Sequence, residues 1–165
     1  GLKIMTTRMF THTGPRRGDV FAESSFAKQI ALAEAGYQKP LIKVGNLDSL
    51  RTIADVRDAV RAYYMLVTIN PIPGESYNIG GTHTLTVKEI LEYLISISTL
   101  NSKLEYVIDK SRLRPIDADL QLPSTEKFTK HTGWTPKIKF EKTMNDLLNY
   151  WREKIDKDGN VFLER

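Results

Sequence analysis

The chain has 165 residues, 41% of them hydrophobic and 27% charged, which suits one domain, or one lobe of a larger one, with a real core. Its formal charge of +4 and pI of about 9.2 favour anionic partners, yet 24 basic residues are scattered among 20 acidic ones without a Lys/Arg tract, so a nucleic-acid surface is not expected. There is no cysteine for a disulfide framework, and no apolar run approaches the ~20 residues that span a bilayer, so a cytoplasmic protein without a membrane partner is expected.

Residues 2–9 alternate and are rich in β-formers, which predicts a strand. Residues 12–19, broken by Gly14, Pro15 and Gly18, read as a loop. Residues 21–35 are helical by composition, with Gly36 placed as a left-handed C-cap, and 41–44 form a short strand. From 54 to 67, Val56, Val60, Tyr63 and Val67 recur at helical spacing until Pro71 and Pro73 intervene. A strand at 76–79 precedes Gly80-Gly81, and Thr86-Val87-Lys88-Glu89 has the pattern of a capping box opening a helix with Ile90, Leu91 and Leu94 inward. A strand at 104–108 and a short helix from Thr125 to near Gly133 follow. Phe140, Met144, Leu147, Leu148, Trp151 and Ile155 then stripe a last helix. Alternating elements of this kind predict an α/β fold.

A dinucleotide-binding unit needs a glycine-rich turn between its first strand and helix, so that backbone N–H groups meet the pyrophosphate. Gly80-Gly81 is the only glycine pair, and the rest of the fingerprint is missing. Tyr106/Lys110 and Tyr150/Lys154 have the spacing of a proton-transferring Tyr-x-x-x-Lys pair, but the first runs from a strand into a loop and the second ends the last helix. His12, His83 and His131 lack metal-ligand spacing, though His12 beside a Gly-Pro turn could line a site. The arginines are more informative: Arg16-Arg17 follow the first strand, Arg51 follows the Gly45-Asn46 turn, and Arg112 and Arg114 precede Pro115. A guanidinium grips phosphate through two parallel hydrogen bonds, so three such segments could converge on a diphosphate.

The run Thr7-Arg8-Met9-Phe10-Thr11-His12-Thr13-Gly14-Pro15-Arg16-Arg17-Gly18 resembles a segment of the GDP-mannose 4,6-dehydratases and GDP-4-keto-6-deoxy-mannose reductases, extended short-chain dehydrogenase/reductases. So, in order, do residues 44–51, 54–59, 77–81, 113–117 and 132–136. The resemblance implies a single C-terminal, substrate-binding fragment spanning 1–165. In it, 1–10 are the last part of a Rossmann strand, 11–153 the substrate lobe and 154–165 a tail beside an incomplete Rossmann sheet. It places Arg51, Arg114, Thr11, His12 and Asp117 against a GDP-sugar or other nucleotide sugar, and Arg16 and Arg17 near the cofactor. It also implies NADP (or NAD) in a parent enzyme whose catalytic Tyr/Lys lie in a separate N-terminal Rossmann half, with no catalytic residue, metal or bound cofactor expected in this fragment.

Dehydratase, reductase and epimerase all stay open, because Thr11, Ser25 and Thr52 depart from the common dehydratase residues while residues 26–31 look closer to the reductases. A non-enzymatic basic binding module is the remaining alternative. The first strand and the helix at 54–67 would lack a partner for their apolar faces, so a homo-oligomer is expected.

Overall fold

The computed structural model describes residues 2–113 and 120–158, an α/β arrangement of short strands and five helices. β1 (Thr6–Met9) runs parallel to β5 (Ser76–Ile79), pairing Thr6 with Ser76 and Met9 with Ile79. The strand is shorter than its alternation suggests because its neighbour begins only at Ser76, and Leu2 and Ile4 stand exposed before it. β3 (Leu41–Val44) pairs in parallel with β7 (Glu105–Ile108). The third sheet is built around β4 (Leu50–Asp55). β6 (His83–Thr86) lies antiparallel along one edge, while β2 (His12–Thr13) and β8 (Leu120–Gln121) pair in parallel with successive parts of the strand.

The strand assignments differ further from the sequence reading. His12 and Thr13 are strand, not loop, and Arg51, which follows the Gly45-Asn46 turn, sits within a strand rather than in a loop. Both follow from long-range pairing, His12 with Ala54 and Arg51 with both Leu85 and Gln121, which local periodicity does not reveal.

The larger core gathers helix α1 (Ala22–Glu34), helix α3 (Val87–Ser96) and helix α5 (Phe140–Asp158) over β3. All six residues of the α5 stripe are buried here, as are Ile90, Leu91 and Leu94 of α3. At the N-terminus of α3, Thr86 accepts from the Glu89 amide while Glu89 accepts from the Thr86 amide, a complete capping box. The end of α1 is tied across the core by Glu34. Its carboxylate accepts from the Ser98 hydroxyl at 2.7 Å, the Thr99 amide at 2.8 Å, and Arg152 Nε and Nη2 at 2.7 Å each. Burial alone would raise its pKa, but the Arg152, Ser98 and Thr99 bonds overcome this and lower it to about 2.

A smaller cluster joins helix α2 (Val56–Thr68), β5 and helix α4 (Glu126–Thr132) through Ala62, Leu66, Tyr77, Ile79, Phe128 and Trp134. The inward residues of α2 are Ala59, Ala62 and Leu66, whereas Val60, Tyr63, Tyr64 and Val67 are exposed. The two clusters are linked by charged groups. Asp55 caps α2 by accepting from the Arg57 amide at 2.8 Å, and also accepts from the Arg57 side chain and from Thr143 of α5. Burial works against the Asp55 carboxylate, yet the hydrogen bonds from Arg57 and Thr143 hold it below the usual range.

Candidate functional site

A cleft of about 460 Å³ opens where β4, the N-terminal end of α1 and the segment after β7 meet. Arg17, Lys43, Arg51 and Arg112 line it, set among the described residues against one carboxylate, Glu23. Each guanidinium is placed by a different device.

Arg51 belongs to β4, and its Nη1 donates to the Leu50 carbonyl at 2.9 Å. On the same stretch, Thr52 donates to the Gln121 carbonyl at 2.7 Å, while the Thr11 hydroxyl donates to Gln121 Oε1 at 3.1 Å. Thr11, β4 and β8 are thereby locked together at the cleft wall.

Arg112 ends the 3₁₀ turn Lys110–Arg112, which Asp109 caps by accepting from the Ser111 amide at 3.0 Å. The Ser111 hydroxyl and amide hold the Asp109 carboxyl below its ordinary range, so it stays ionised with Arg112 Nε 3.8 Å away. The Arg112 Nη1 also donates to Ser25 Oγ of α1 at 3.0 Å. Gly45 makes this approach possible. A β-carbon there would stand 2.7 Å from the Arg112 carbonyl oxygen, so no larger residue fits without moving the turn.

Arg17 lies in the loop between β2 and α1, where Arg16 adopts a left-handed φ of 72°. The chain Trp151 Nε1 to Ser24 Oγ (2.9 Å) and Ser24 Oγ to the Arg17 carbonyl (2.7 Å) pins this loop to the core. Its guanidinium carbon lies 3.3 Å over the centre of the Phe21 ring, a cation–π contact.

Arg17 and Phe21 also form the wall of a second cleft of about 590 Å³, shared with His12, Arg16 and Arg57. Thr11, Arg17 and Arg51 therefore face one cleft, whereas His12 and Arg16 face the other. Arg114 and Asp117 lie outside the described residues. The His12 Nδ1 is 3.1 Å from the Phe10 carbonyl oxygen; with Nδ1–H donating, Nε2 is left as the acceptor. Lys43, Glu23 and Gln121 carry no local signal that marks them as cleft residues. They come together only through β3 and the β4–β8 pairing.

Neither Tyr-x-x-x-Lys match is arranged for proton transfer. Tyr106 lies on β7 and Lys110 in the 3₁₀ turn. Lys154 Nζ packs 5.9 Å from the Tyr150 ring centre and 5.2 Å from that of Trp151, against ring faces. His83 stacks on Phe140 at 5.2 Å, and His131 contacts the Tyr77 hydroxyl and the Asn70 carbonyl. No cluster of metal-ligating side chains occurs among the described residues, and no described helix is long and apolar enough to cross a membrane.

The family model described as GDP-mannose 4,6 dehydratase matches residues 1–147. The chain belongs to this family. GDP-6-deoxy-D-mannose reductase of Pseudomonas aeruginosa is 30% identical over 155 residues, covering 94% of this chain and 50% of the relative. GDP-mannose 4,6 dehydratase 1 of Arabidopsis thaliana is 29% identical, covering 96% and 45%. The structure of RMD from Pseudomonas aeruginosa complexed with NADPH superposes with a TM-score of 0.81 at 28% identity, over 92% of this chain and 49% of that one. UDP-glucose 4-epimerase of Thermotoga maritima, with a TM-score of 0.74 at 21% identity, shares the fold. The chain spans about half the length of the curated relatives it matches.

The glycines of this family member nowhere have the G-x-G-x-x-G spacing. Its one glycine pair serves strand packing: a β-carbon on Gly81 would sit 1.8 Å from the Ile53 carbonyl oxygen, and one on Gly80 would sit 2.7 Å from Pro123. The pair faces backbone and proline, where no pyrophosphate can enter.

Proposed function

We propose that this chain is the nucleotide-sugar-binding portion of an NADP-dependent GDP-mannose 4,6-dehydratase, a single substrate-binding unit spanning 1–165 that is not active by itself. The observation that carries this reading is the convergence of Arg17, Arg51 and Arg112 on one cleft. Guanidinium groups stay charged at any physiological pH, and in a partly enclosed cleft they bind a doubly charged pyrophosphate more strongly than at an open surface. What the chain's own residues do is bind and orient; hydride and proton transfer belong to groups elsewhere in the whole protein. When bound, NADP would supply the hydride acceptor, with Arg16 and Arg17, which both line the second cleft, as the residues of this chain that would face it.

A reductase is the second reading, favoured by the 30% identity to the Pseudomonas aeruginosa GDP-6-deoxy-D-mannose reductase. The full-length polypeptide separates the two. A dehydratase converts GDP-mannose without net consumption of NADPH, whereas a reductase consumes NADPH with the 4-keto sugar nucleotide and leaves GDP-mannose unchanged.

Binding tests the shared claim. Arg51→Ala is expected to weaken GDP-mannose binding to the 165-residue chain by roughly 10- to 100-fold, the loss of charge-assisted hydrogen bonds. Equal binding by both proteins in calorimetry would refute the assignment of this cleft.

A further inference from the structure

We infer that Trp151, on the last helix, is a positioning residue for the arginine-lined cleft, acting through Ser24 on Arg17; this rests on the reading of that cleft as the nucleotide-sugar site. Residues 21–24, where α1 begins, make three contacts to Arg17. The Phe21 ring lies against its guanidinium, Glu23 Oε1 pairs with its Nε at 3.4 Å, and Ser24 Oγ donates to its carbonyl at 2.7 Å. The first two act on the side chain, the third on the main chain that carries it.

The main-chain contact matters because this loop does not hold its shape by local preference. Arg16 keeps a left-handed φ of 72°, a conformation that a non-glycine residue retains where its surroundings enforce it. The Arg17 amide closes a turn on the Gly14 carbonyl at 3.1 Å, and the Phe21 amide closes another on Gly18 at 3.3 Å. Ser24 fastens the Arg17 carbonyl, which lies between those two turns, to α1.

Ser24 is directed in turn from the core. A serine hydroxyl rotates freely and, within a helix, can turn back to a carbonyl three or four residues earlier. The Trp151 indole N–H donates to Ser24 Oγ at 2.9 Å and so holds it in the rotamer that reaches Arg17. Trp151 is itself immobilised. It is buried in the larger core, and Lys28 and Lys154 place their ammonium groups 5.5 and 5.2 Å from its ring centre. The other tryptophan shows the contrast: Trp134 Nε1 donates to the Asp58 carbonyl at 3.1 Å, a bond that ends on main chain. The Trp151 bond is passed on to the cleft. A guanidinium that grips an anion through parallel hydrogen bonds depends on such support, since a binding group has to be held within about 0.5 Å of its working position.

The test is a double-variant cycle read by titration calorimetry with GDP, using Ser24→Ala, Arg17→Ala and the two combined, with Trp151→Phe as a second way to cut the relay. Arg17→Ala is expected to weaken GDP binding roughly tenfold or more, and Ser24→Ala and Trp151→Phe roughly three- to tenfold each. If the relay acts through Arg17, Ser24→Ala costs no more than about a further twofold once Arg17 is alanine. Circular dichroism establishes that each variant is folded. If the relay variants are not, the wild type decides alone through its two indole N–H resonances: GDP is expected to shift that of Trp151 and to leave that of Trp134, which lies in the smaller cluster, in place. The inference is overturned, with the cleft reading intact, if Arg17→Ala weakens GDP while the relay variants bind it like the wild type, if Ser24→Ala loses the same factor with and without Arg17, or if the Trp151 resonance ignores GDP. Unchanged binding by Arg17→Ala removes Arg17 from the site and the inference with it. Failure of GDP to bind the wild type overturns the cleft reading as well.

Discussion

At the scale of single residues, the site depends on where backbones touch. Gly81 has no room for a methyl group against the Ile53 carbonyl, and the obstacle is main chain rather than a movable side-chain tip. Gly81→Ala is expected to destabilise the fold by about 3 kcal/mol, read as a lower denaturation midpoint. Arg112 and Arg16 provide a matched pair. Arg112→Ala should weaken nucleotide diphosphate binding, because Arg112 lines the cleft with Arg51. Arg16→Ala, on the other side of the Arg17–Phe21 wall, should leave it unchanged in the same calorimetric assay. The residue types that carry the site were legible in the sequence as arginines near strand ends. Their partners were not, since nothing near Glu23, Lys43 or Gln121 in the chain indicates that α1, β3 and the β4–β8 pairing will bring them to one cleft.

At the scale of elements, the strongly periodic helices were legible and the shortest strands were not. The α5 stripe, the Thr86–Glu89 box and the short helix before Gly133 could be placed from their own residues, because helix spacing and capping are local chemistry. β2 and β8 are two residues long, and each exists only because β4 offers it an edge. The ties between elements are electrostatic and carry a pH signature. Glu34 has its carboxyl lowered from 4.5 to about 2 by Arg152, Ser98 and Thr99. A lowered folded-state value contributes stability that is present above about pH 4.5 and is lost as pH falls toward 2. Glu34→Gln should therefore be less stable at neutral pH and should lose less further stability through that window, as followed by circular dichroism in an acid titration. Thr86→Ala, which removes the α3 cap, should cost about 1 kcal/mol at any pH where Glu89 is ionised.

At the scale of the whole molecule, four cationic side chains line one cleft while apolar side chains of α2 stay exposed. Val60, Tyr64 and Val67 of α2 are 61%, 67% and 59% exposed, and β1 pairs along only one edge among the described residues. An exposed apolar helix face and a strand edge without a described neighbour each favour association. The isolated chain is expected to self-associate at high concentration, and Val60→Lys with Tyr64→Lys to reduce this. Light scattering that shows a clean wild-type monomer would contradict the expectation. This face was foreseen in part: the spacing of Val60, Tyr63 and Val67 marked an apolar stripe, while the small inward residues Ala59 and Ala62 gave no such signal.

The central claim is that several guanidinium groups close on one diphosphate. It is tested most directly by calorimetric titration of the chain with GDP and with GMP across a range of salt concentrations. If the cleft grips a pyrophosphate, GDP binds roughly tenfold or more tightly than GMP, and the difference shrinks as salt rises and in Arg51→Ala and Arg112→Ala. Equal affinity for the two nucleotides, unaffected by salt or by either substitution, would contradict it.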